Sequence, residues 1–312
     1  MKSKEKNFVS VVIYVHNAEK RIENFLETII DVLENNFENS EVICVNDSSE
    51  DKSSALIKKI GQKALSTSVS IVNMSYFHGL ELAMNAGRDM AIGDFVFEFD
   101  NTYLDFEPEL VMKIYHHMQE GYDIVSASAK RKEKLSSRLF YKVFDRYSAA
   151  SCKMTTESFR VISRRMINRT SSMNRTIPYR KVIYANCGLK MDIIKYTGID
   201  DLASAGDRKE KGFRTKLAVD SLILFTEMGY SFARTMTILM MFMSVFMLAY
   251  SVAIYVMAHP VAGWTTTILF LSVAFFGLFG ILTIIIKYLQ LLVDLVFRRQ
   301  HYSFESIEKL TR

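Results

Sequence analysis

Phe8 to Val15 reads FVSVVIYV, a run of apolar and β-branched residues interrupted by a single serine. It has the length of one strand. Because it is apolar on both alternating faces, it suits a strand buried on both sides, as in a parallel sheet. A helical pattern follows from Ala18 to about Asn35, with Ile22, Phe25, Leu26, Ile29, Ile30 and Leu33 on one face. The same alternation then repeats. Glu41 to Val45 (EVICV) reads as a second strand, and a helix runs through Ala55, Leu56 and Ile60. Ser70 to Met74 is a strand, Leu80 to Met90 a helix, and Phe95 to Phe99 a strand. Glu107 to Gln119 reads as a helix and Asp123 to Ala127 as a fifth strand. Strands alternating with helices predict an α/β domain with a mostly parallel sheet and right-handed crossovers.

Ligands of such sheets bind beyond the carboxyl ends of the strands. Two of those ends carry carboxylates, Asp47 and Asp100. Neither a GxGxxG nor a GxxxxGK[ST] pattern is present, which disfavours dinucleotide-binding and P-loop readings. A strand-end carboxylate can accept from a base N–H or a ribose hydroxyl. It can also help hold a divalent cation that neutralises a departing diphosphate. Asp is equally a common turn and cap residue, so both alternatives stand at this stage.

Of the 312 residues 49% are hydrophobic, and they are unevenly spread. Thr235 to Met257 and Trp264 to Ile286 are free of charge and separated only by AHPVAG. A membrane-crossing helix needs roughly 20 apolar residues. The expectation is therefore a two-helix transmembrane hairpin over 235–290, preceded by an amphipathic juxtamembrane helix over 213–234. Leu135 to Tyr147 is expected to be a helix lying in the headgroup layer. Arg234, Lys287, Arg298 and Arg299 flank the outer ends and the turn carries no cation, which places the domain over 1–212 and the tail over 291–312 in the cytoplasm. A multi-pass protein of the inner or plasma membrane follows. No signal peptide is read ahead of the first strand. Cys44, Cys152 and Cys187 form no metal-ligand pattern and fit a reducing compartment. The net charge of +5 suits an anionic membrane surface and is no nucleic-acid signal.

Several segments together resemble family-2 glycosyltransferases of GT-A fold, in the polyprenyl-phosphate branch. That branch includes dolichol-phosphate mannose synthase and bacterial undecaprenyl-phosphate glucosyltransferases with a C-terminal two-helix anchor. VSVVIYVHNAEKRI resembles the family's first strand and its "P-x-x-N-E" loop. EVICVNDSSEDKS resembles "E-I-I-x-V-D-D-G-S-x-D-x-T", and NMSYFHGLELAMNAGRDMAIGDFVFEFD the stretch from "R-N-x-G" to the metal-binding Asp. KYLQLLVDLVFRRQHYSF resembles the segment that follows the last membrane helix. The family's "D-x-D" is Asp100–Asn101–Thr102 here, and its "D-F-R" is Ser158–Phe159–Arg160 with Glu157 one place earlier.

The resemblance implies an inverting hexosyltransferase for polysaccharide biosynthesis. It would use a UDP- or GDP-sugar as donor, polyprenyl phosphate as acceptor, and Mg or Mn as divalent cation. It assigns nucleotide contacts to Asn17, Asn46, Asp47, Ser49 and Asp100, the metal to Asp100 and Asp105, and catalytic roles to Asp100, Arg160 and Glu157. Arg160 is the expected cation for the lipid phosphate. Homo-oligomers occur in the family. Two other functions stay open on sequence: the same donor chemistry on another acceptor, and a weakly catalytic relative that binds nucleotide or lipid.

Overall fold

The structure, a computed structural model, describes residues 4–130, 157–172, 180–198 and 303–311, together with scattered helical residues between 235 and 292. The chain divides into two compact units. The first comprises residues 1–145, 150–217 and 300–312, and the second comprises 146–149 and 218–299.

The first unit is built on one eight-stranded sheet. Its strands are β1 (Val9–Val15), β2 (Ser40–Asn46), β3 (Ser68–Met74), β4 (Phe95–Phe99), β5 (Ile124–Ala129), β6 (Phe159–Ser163), β7 (Met191–Tyr196) and β8 (Phe304–Lys309). The order across the sheet is β7-β5-β6-β4-β1-β2-β3-β8. β4, β1, β2 and β3 run parallel. β6 is antiparallel to both β4 and β5, and β8 is antiparallel to β3. The helices are α1 (Ile22–Asn36), α2 (Ser53–Gly61), α3 (Leu80–Met90), α4 (Glu109–Gln119), α5 (Arg164–Ser172) and α6 (Arg180–Asn186). The expected mostly parallel α/β architecture is therefore present.

β1 shows why. Val9, Val11, Ile13 and Val15 enter one apolar cluster with α1, α2 and α4, whereas Val12 and Tyr14 enter the other with α3, α5 and α6. Successive side chains point to opposite faces, so a strand covered on both sides must be apolar throughout. α3 packs with almost no clearance. A β-carbon on Gly87 would lie 2.4 Å from Val12 Cγ1 and 2.6 Å from Val45 Cγ2, so Gly87 lets the helix settle onto β1 and β2.

β6, β7, β8, α5 and α6 extend the sequence reading, and β8 is the least expected. The last segment of the chain, separated from the other strands by residues 218–299, returns as an edge strand of their sheet.

In the second unit the described residues are helical. Leu239, Phe242 and Phe246 are exposed, as are Leu271, Phe275, Leu278, Leu282, Ile285, Leu289 and Leu292, at intervals of three and four. Gly277 is packed against Met240, whose Cε lies 1.8 Å from where a β-carbon would be. Among the described residues no helix is long and apolar enough to cross a membrane. Much of the expected spans 235–257 and 264–286, together with the helices expected over 135–147 and 213–234, lies outside the described residues.

Gly87→Val overpacks the contact between α3 and the sheet and is expected to lower stability by about 1–3 kcal/mol. The readout is a lower melting temperature of the full-length protein in detergent. An unchanged melting temperature would mean that α3 does not sit this close to β1 and β2.

Candidate active site

β1 lies between β2 and β4, and the chain order reverses between β1 and β4. In open sheets the loops leaving parallel strands at such a reversal diverge into a crevice, the usual ligand position. The loop after β1 is laced to the loop after β2. Asn17 N–H donates to Ser49 Oγ (3.1 Å), Glu50 N–H to Asn17 Oδ1 (2.9 Å), Glu19 N–H to Asp51 Oδ2 (2.9 Å) and Ala18 N–H to Ser53 Oγ (2.8 Å). Asn17 and Ser48 both hold left-handed backbone, with φ of 47° and 52°. Such strain is uncommon outside glycine and persists where surrounding contacts enforce it.

Asp47 follows β2 and is fully buried. Its Oδ1 accepts from His78 N–H (2.8 Å), and its Oδ2 from Gly79 N–H (2.8 Å) and the Tyr14 hydroxyl (3.1 Å). Gly79, at φ 82°, supplies the left-handed turn that aims these amides. The carboxylate thus orders the loop between β3 and α3. Beside it, Asn46 donates to Asn73 Oδ1 (2.9 Å) and accepts from Ser49 N–H (3.2 Å).

Asp100 follows β4 and is held by two guanidinium groups. Arg160 Nη2 donates to its Oδ2 and Arg180 Nη2 to its Oδ1, each at 2.7 Å. Both arginines are fully buried and bind further acids. Arg160 Nη1 donates to Glu98 Oε2 (2.8 Å) and its Nε to Glu157 Oε2 (2.9 Å). Arg180 Nε donates to Glu81 Oε2 (2.9 Å), and its Nη1 is ion-paired to Glu98 Oε2 at 2.9 Å. The Tyr184 hydroxyl donates to Glu98 Oε1 (2.8 Å), and Arg88 reaches that hydroxyl at 3.4 Å.

β4 and β6 make this local, since Glu98 lies directly opposite Arg160 in the antiparallel register and two residues before Asp100 on one face. Burial alone would push the Asp100 and Glu98 carboxyls up. Arg160 and Arg180 more than offset it and hold both below the ordinary carboxylate range. Burial, reinforced by Glu98, pushes the Tyr184 phenol up and keeps it a neutral donor.

The expected site residues fall into two groups. Asn17, Asn46, Asp47 and Ser49 converge at the ends of β1 and β2. Asp100, Arg160 and Glu157 converge at the ends of β4 and β6. Two assignments change. Arg160, expected to face a lipid phosphate, has all three of its nitrogens engaged by the carboxylates of Glu157, Glu98 and Asp100. Asp47 is fully buried and turned onto the His78 and Gly79 amides and the Tyr14 hydroxyl, away from a base. Asp105 is buried, with the Tyr196 hydroxyl 3.0 Å from its Oδ1.

Glu81, Glu98, Arg88, Arg180 and Tyr184 were not foreseen. One signal existed: Glu98 is a charge inside FVFEF, an otherwise apolar strand. A cation contributes at the mouth of the crevice. Arg21, half-buried at the start of α1, donates to the Tyr103 hydroxyl (2.9 Å) and lies 4.3 Å above its ring, just after Asp100.

Glu98→Gln removes a charge that two buried guanidiniums share. Breaking one member of a buried ionic group costs about 3–5 kcal/mol. Because Glu98 and Asp100 titrate below their unfolded-state values, their contribution is present above about pH 4 and fades as pH falls below it. The native protein is expected to lose melting temperature steeply on acidification below that range. Glu98→Gln should start lower and show a shallower slope, and parallel curves would contradict the assignment.

The family described as "Glycosyl transferase family 2" matches residues 10–174, which span β1 to α5. An uncharacterized glycosyltransferase of Synechocystis is 29% identical over 194 residues, covering 60% of each chain. The chain thus spans 60% of the length of that relative. A prophage bactoprenol glucosyl transferase homolog of Escherichia coli is 27% identical over 227 residues, covering 70% of this chain and 72% of the other. The fold is shared with glucosyl-3-phosphoglycerate synthase of Mycobacterium tuberculosis, solved with Mn2+, UDP and phosphoglyceric acid. The TM-score there is 0.53 at 16% identity, over 70% of this chain and 78% of that one. With the family pattern covering β1 to β6 and both acidic strand ends, the chain belongs to glycosyl transferase family 2.

Proposed function

We propose that this glycosyltransferase moves a hexose from a UDP- or GDP-sugar to a polyprenyl phosphate at the cytoplasmic face of a membrane. A hairpin over 235–290 would anchor it there. The observation that carries this reading is the pairing, in one chain, of a family-2 catalytic domain with helices bearing large exposed apolar side chains at intervals of three and four. A surface of that kind is stable against lipid or another apolar partner, not against water. An acceptor that resides in a membrane suits it, and the E. coli relative is named for a lipid acceptor of this class.

Two further observations support the hairpin. β8 is bonded into the same sheet as the other strands, so any membrane crossings between β7 and β8 must be even in number. Gly277 against Met240 is the close, small-residue helix contact typical of apolar surroundings.

In this reading the donor lies across the ends of β1, β2 and β4. Its nucleoside meets Asn17, Asn46 and Ser49, whose polar atoms border the crevice, and Asp47 shapes the loop behind them. The nucleophile is an oxygen of the lipid phosphate, already ionised at neutral pH. It attacks the sugar C1 while the bond from C1 to the nucleotide diphosphate breaks. Little deprotonation is required, so positioning and charge neutralisation carry most of the barrier reduction. With Arg160 occupied, Arg21 is the cation we assign to phosphate at the crevice.

A divalent cation, Mg or Mn, fits this site in one form only. Thr102 stands where a second carboxylate would be, Asp105 is held near Tyr196, and both Asp100 oxygens already face guanidiniums. Among the described residues no group of three or more acids, histidines or cysteines could hold a metal. Magnesium commonly binds through one carboxylate with substrate phosphates and water completing its shell. Asp100 would therefore hold a cation that arrives with the donor, and that cation would stabilise the departing diphosphate.

Full-length protein in detergent, given radiolabelled UDP- or GDP-sugar, a divalent cation and polyprenyl phosphate, is expected to yield lipid-extractable label. Asp100→Asn should cut that yield by about 100-fold or more, and Arg21→Gln should raise the KM for the acceptor. Donor consumption without lipid label would contradict the acceptor assignment. Gly277→Leu should lower the melting temperature in detergent, and adding Met240→Ala should recover part of the loss. No recovery would argue against this helix contact.

A further inference from the structure

The segment that ends in β8 reaches the crevice by two chains of hydrogen bonds. Ser303, just ahead of β8, meets the loop after β3. Ser75 N–H donates to Ser303 O and the Ser75 hydroxyl to Ser303 Oγ, each at 3.0 Å. Ser303 N–H donates to His78 Nε2 at 3.2 Å. The other ring nitrogen, Nδ1, lies 2.5 Å from Tyr76 O, which can only accept. The proton therefore sits on Nδ1, and Nε2 is the acceptor that Ser303 needs. The His78 ring is stacked on Tyr76 at 3.9 Å between centroids, and its backbone N–H, with that of Gly79, holds Asp47.

The second chain runs through side-chain amides. Asn73 donates to Ser306 Oγ (2.9 Å) and Glu308 Oε1 (3.3 Å), while its own Oδ1 accepts from Asn46. Asn46 in turn accepts from Ser49 N–H at 3.2 Å. Each of the two residues that close β2, Asn46 and Asp47, is thus tied to the returning segment through one intervening residue.

We propose that residues 303–309 are a positioning element of the donor site, with His78 and Asn73 as its relays. The proposal rests on the reading of these strand ends as the nucleotide-sugar site. The physical argument is that Asp47 is buried and relies on the His78 and Gly79 amides. That turn is fixed at one end by α3 and at the other by a side chain whose partner is Ser303. Loss of that partner leaves the imidazole held by Tyr76 alone and loosens the turn, so the polar rim at Asn46 and Ser49 loses its fixed spacing. Residues 218–299 separate this segment from the rest of its domain in sequence. The donor site is therefore complete only once the chain has passed through the second unit and returned. Donor binding becomes conditional on residues 303–309, which follow the second unit in the chain.

The test uses full-length protein in detergent and two readouts: calorimetric binding of the donor, and KM and kcat for donor and acceptor. Donor binding by the unaltered protein comes first, since its failure would overturn the function reading and not this one. Ser303→Pro removes the N–H that His78 accepts, along with the hydroxyl that Ser75 meets, while leaving β8 to pair. The expected result is a donor KM raised roughly tenfold, the scale of one hydrogen bond, with kcat and the acceptor KM close to unaltered. Lys63→Ala removes an exposed ion pair with Glu27, at 3.8 Å and away from the relay, and is expected to leave the donor KM unchanged. If Ser303→Pro does not fold, His78→Phe keeps a ring against Tyr76 without the acceptor and should show the same KM rise. An unchanged donor KM in a folded variant would overturn the proposal, as would equal losses in kcat and both KM values.

Discussion

The arrangement depends on one buried ionic group: Asp100 clasped between Arg160 and Arg180, with Glu98 bridging the same two guanidiniums. None of these ions would be stable alone at such depth, because an isolated buried charge is heavily penalised. Together with Glu81, Glu157 and Arg88 they bring four carboxylates and three guanidiniums into one set, with Lys181 adding a further positive charge near Asp100. The set joins α3 and β4 to β6 and α6, two pairs of elements distant in sequence. Its geometry fixes where the end of β4 can lie, and that end is one wall of the crevice. The cluster also explains the tolerance of the chain for threonine at position 102. With Asp100 neutralised by two guanidiniums in the absence of donor, no second carboxylate is needed to keep that end of β4 in place.

The parts of the fold legible in the sequence are those whose burial leaves a local period. FVSVVIYV could only be a strand covered on both faces. The helix beginning near Ile22 showed its apolar stripe, and Asp47 and Asp100 stood at strand ends by position alone. What escaped depends on partners far along the chain. Arg180 meets Glu81 across a separation of 99 residues, and nothing in its neighbours marks it as buried. β8 has the short, half-polar pattern FESIEK, which carries little signal until β3 is beside it. Arg160 illustrates the limit of motif reading. The sequence marks the position, but its surroundings of three acids come from the end of β4 and the loop ahead of β6 and leave no local trace.

The crevice, the returning strand and the second unit then form one sequence of dependencies. The sheet places the loops, the ionic group sets one wall, and the segment ahead of β8 braces the other through His78 and Asn73. In the proposed reading the exposed apolar helices supply a reason for that return path, since a catalytic domain acting on a membrane-borne phosphate would gain from being held beside it. Glycosyl transfer to an ionised acceptor asks mainly for position and charge balance, which are the two things this scaffold provides.

The charge balance at Asp100 can be measured directly by following free Mn2+ by electron paramagnetic resonance as protein is added, first without and then with a UDP- or GDP-sugar. Guanidiniums on both carboxylate oxygens predict that the free-ion signal is unaffected by protein alone and falls only when donor is also present. Tight Mn2+ binding to the protein without nucleotide would contradict the account.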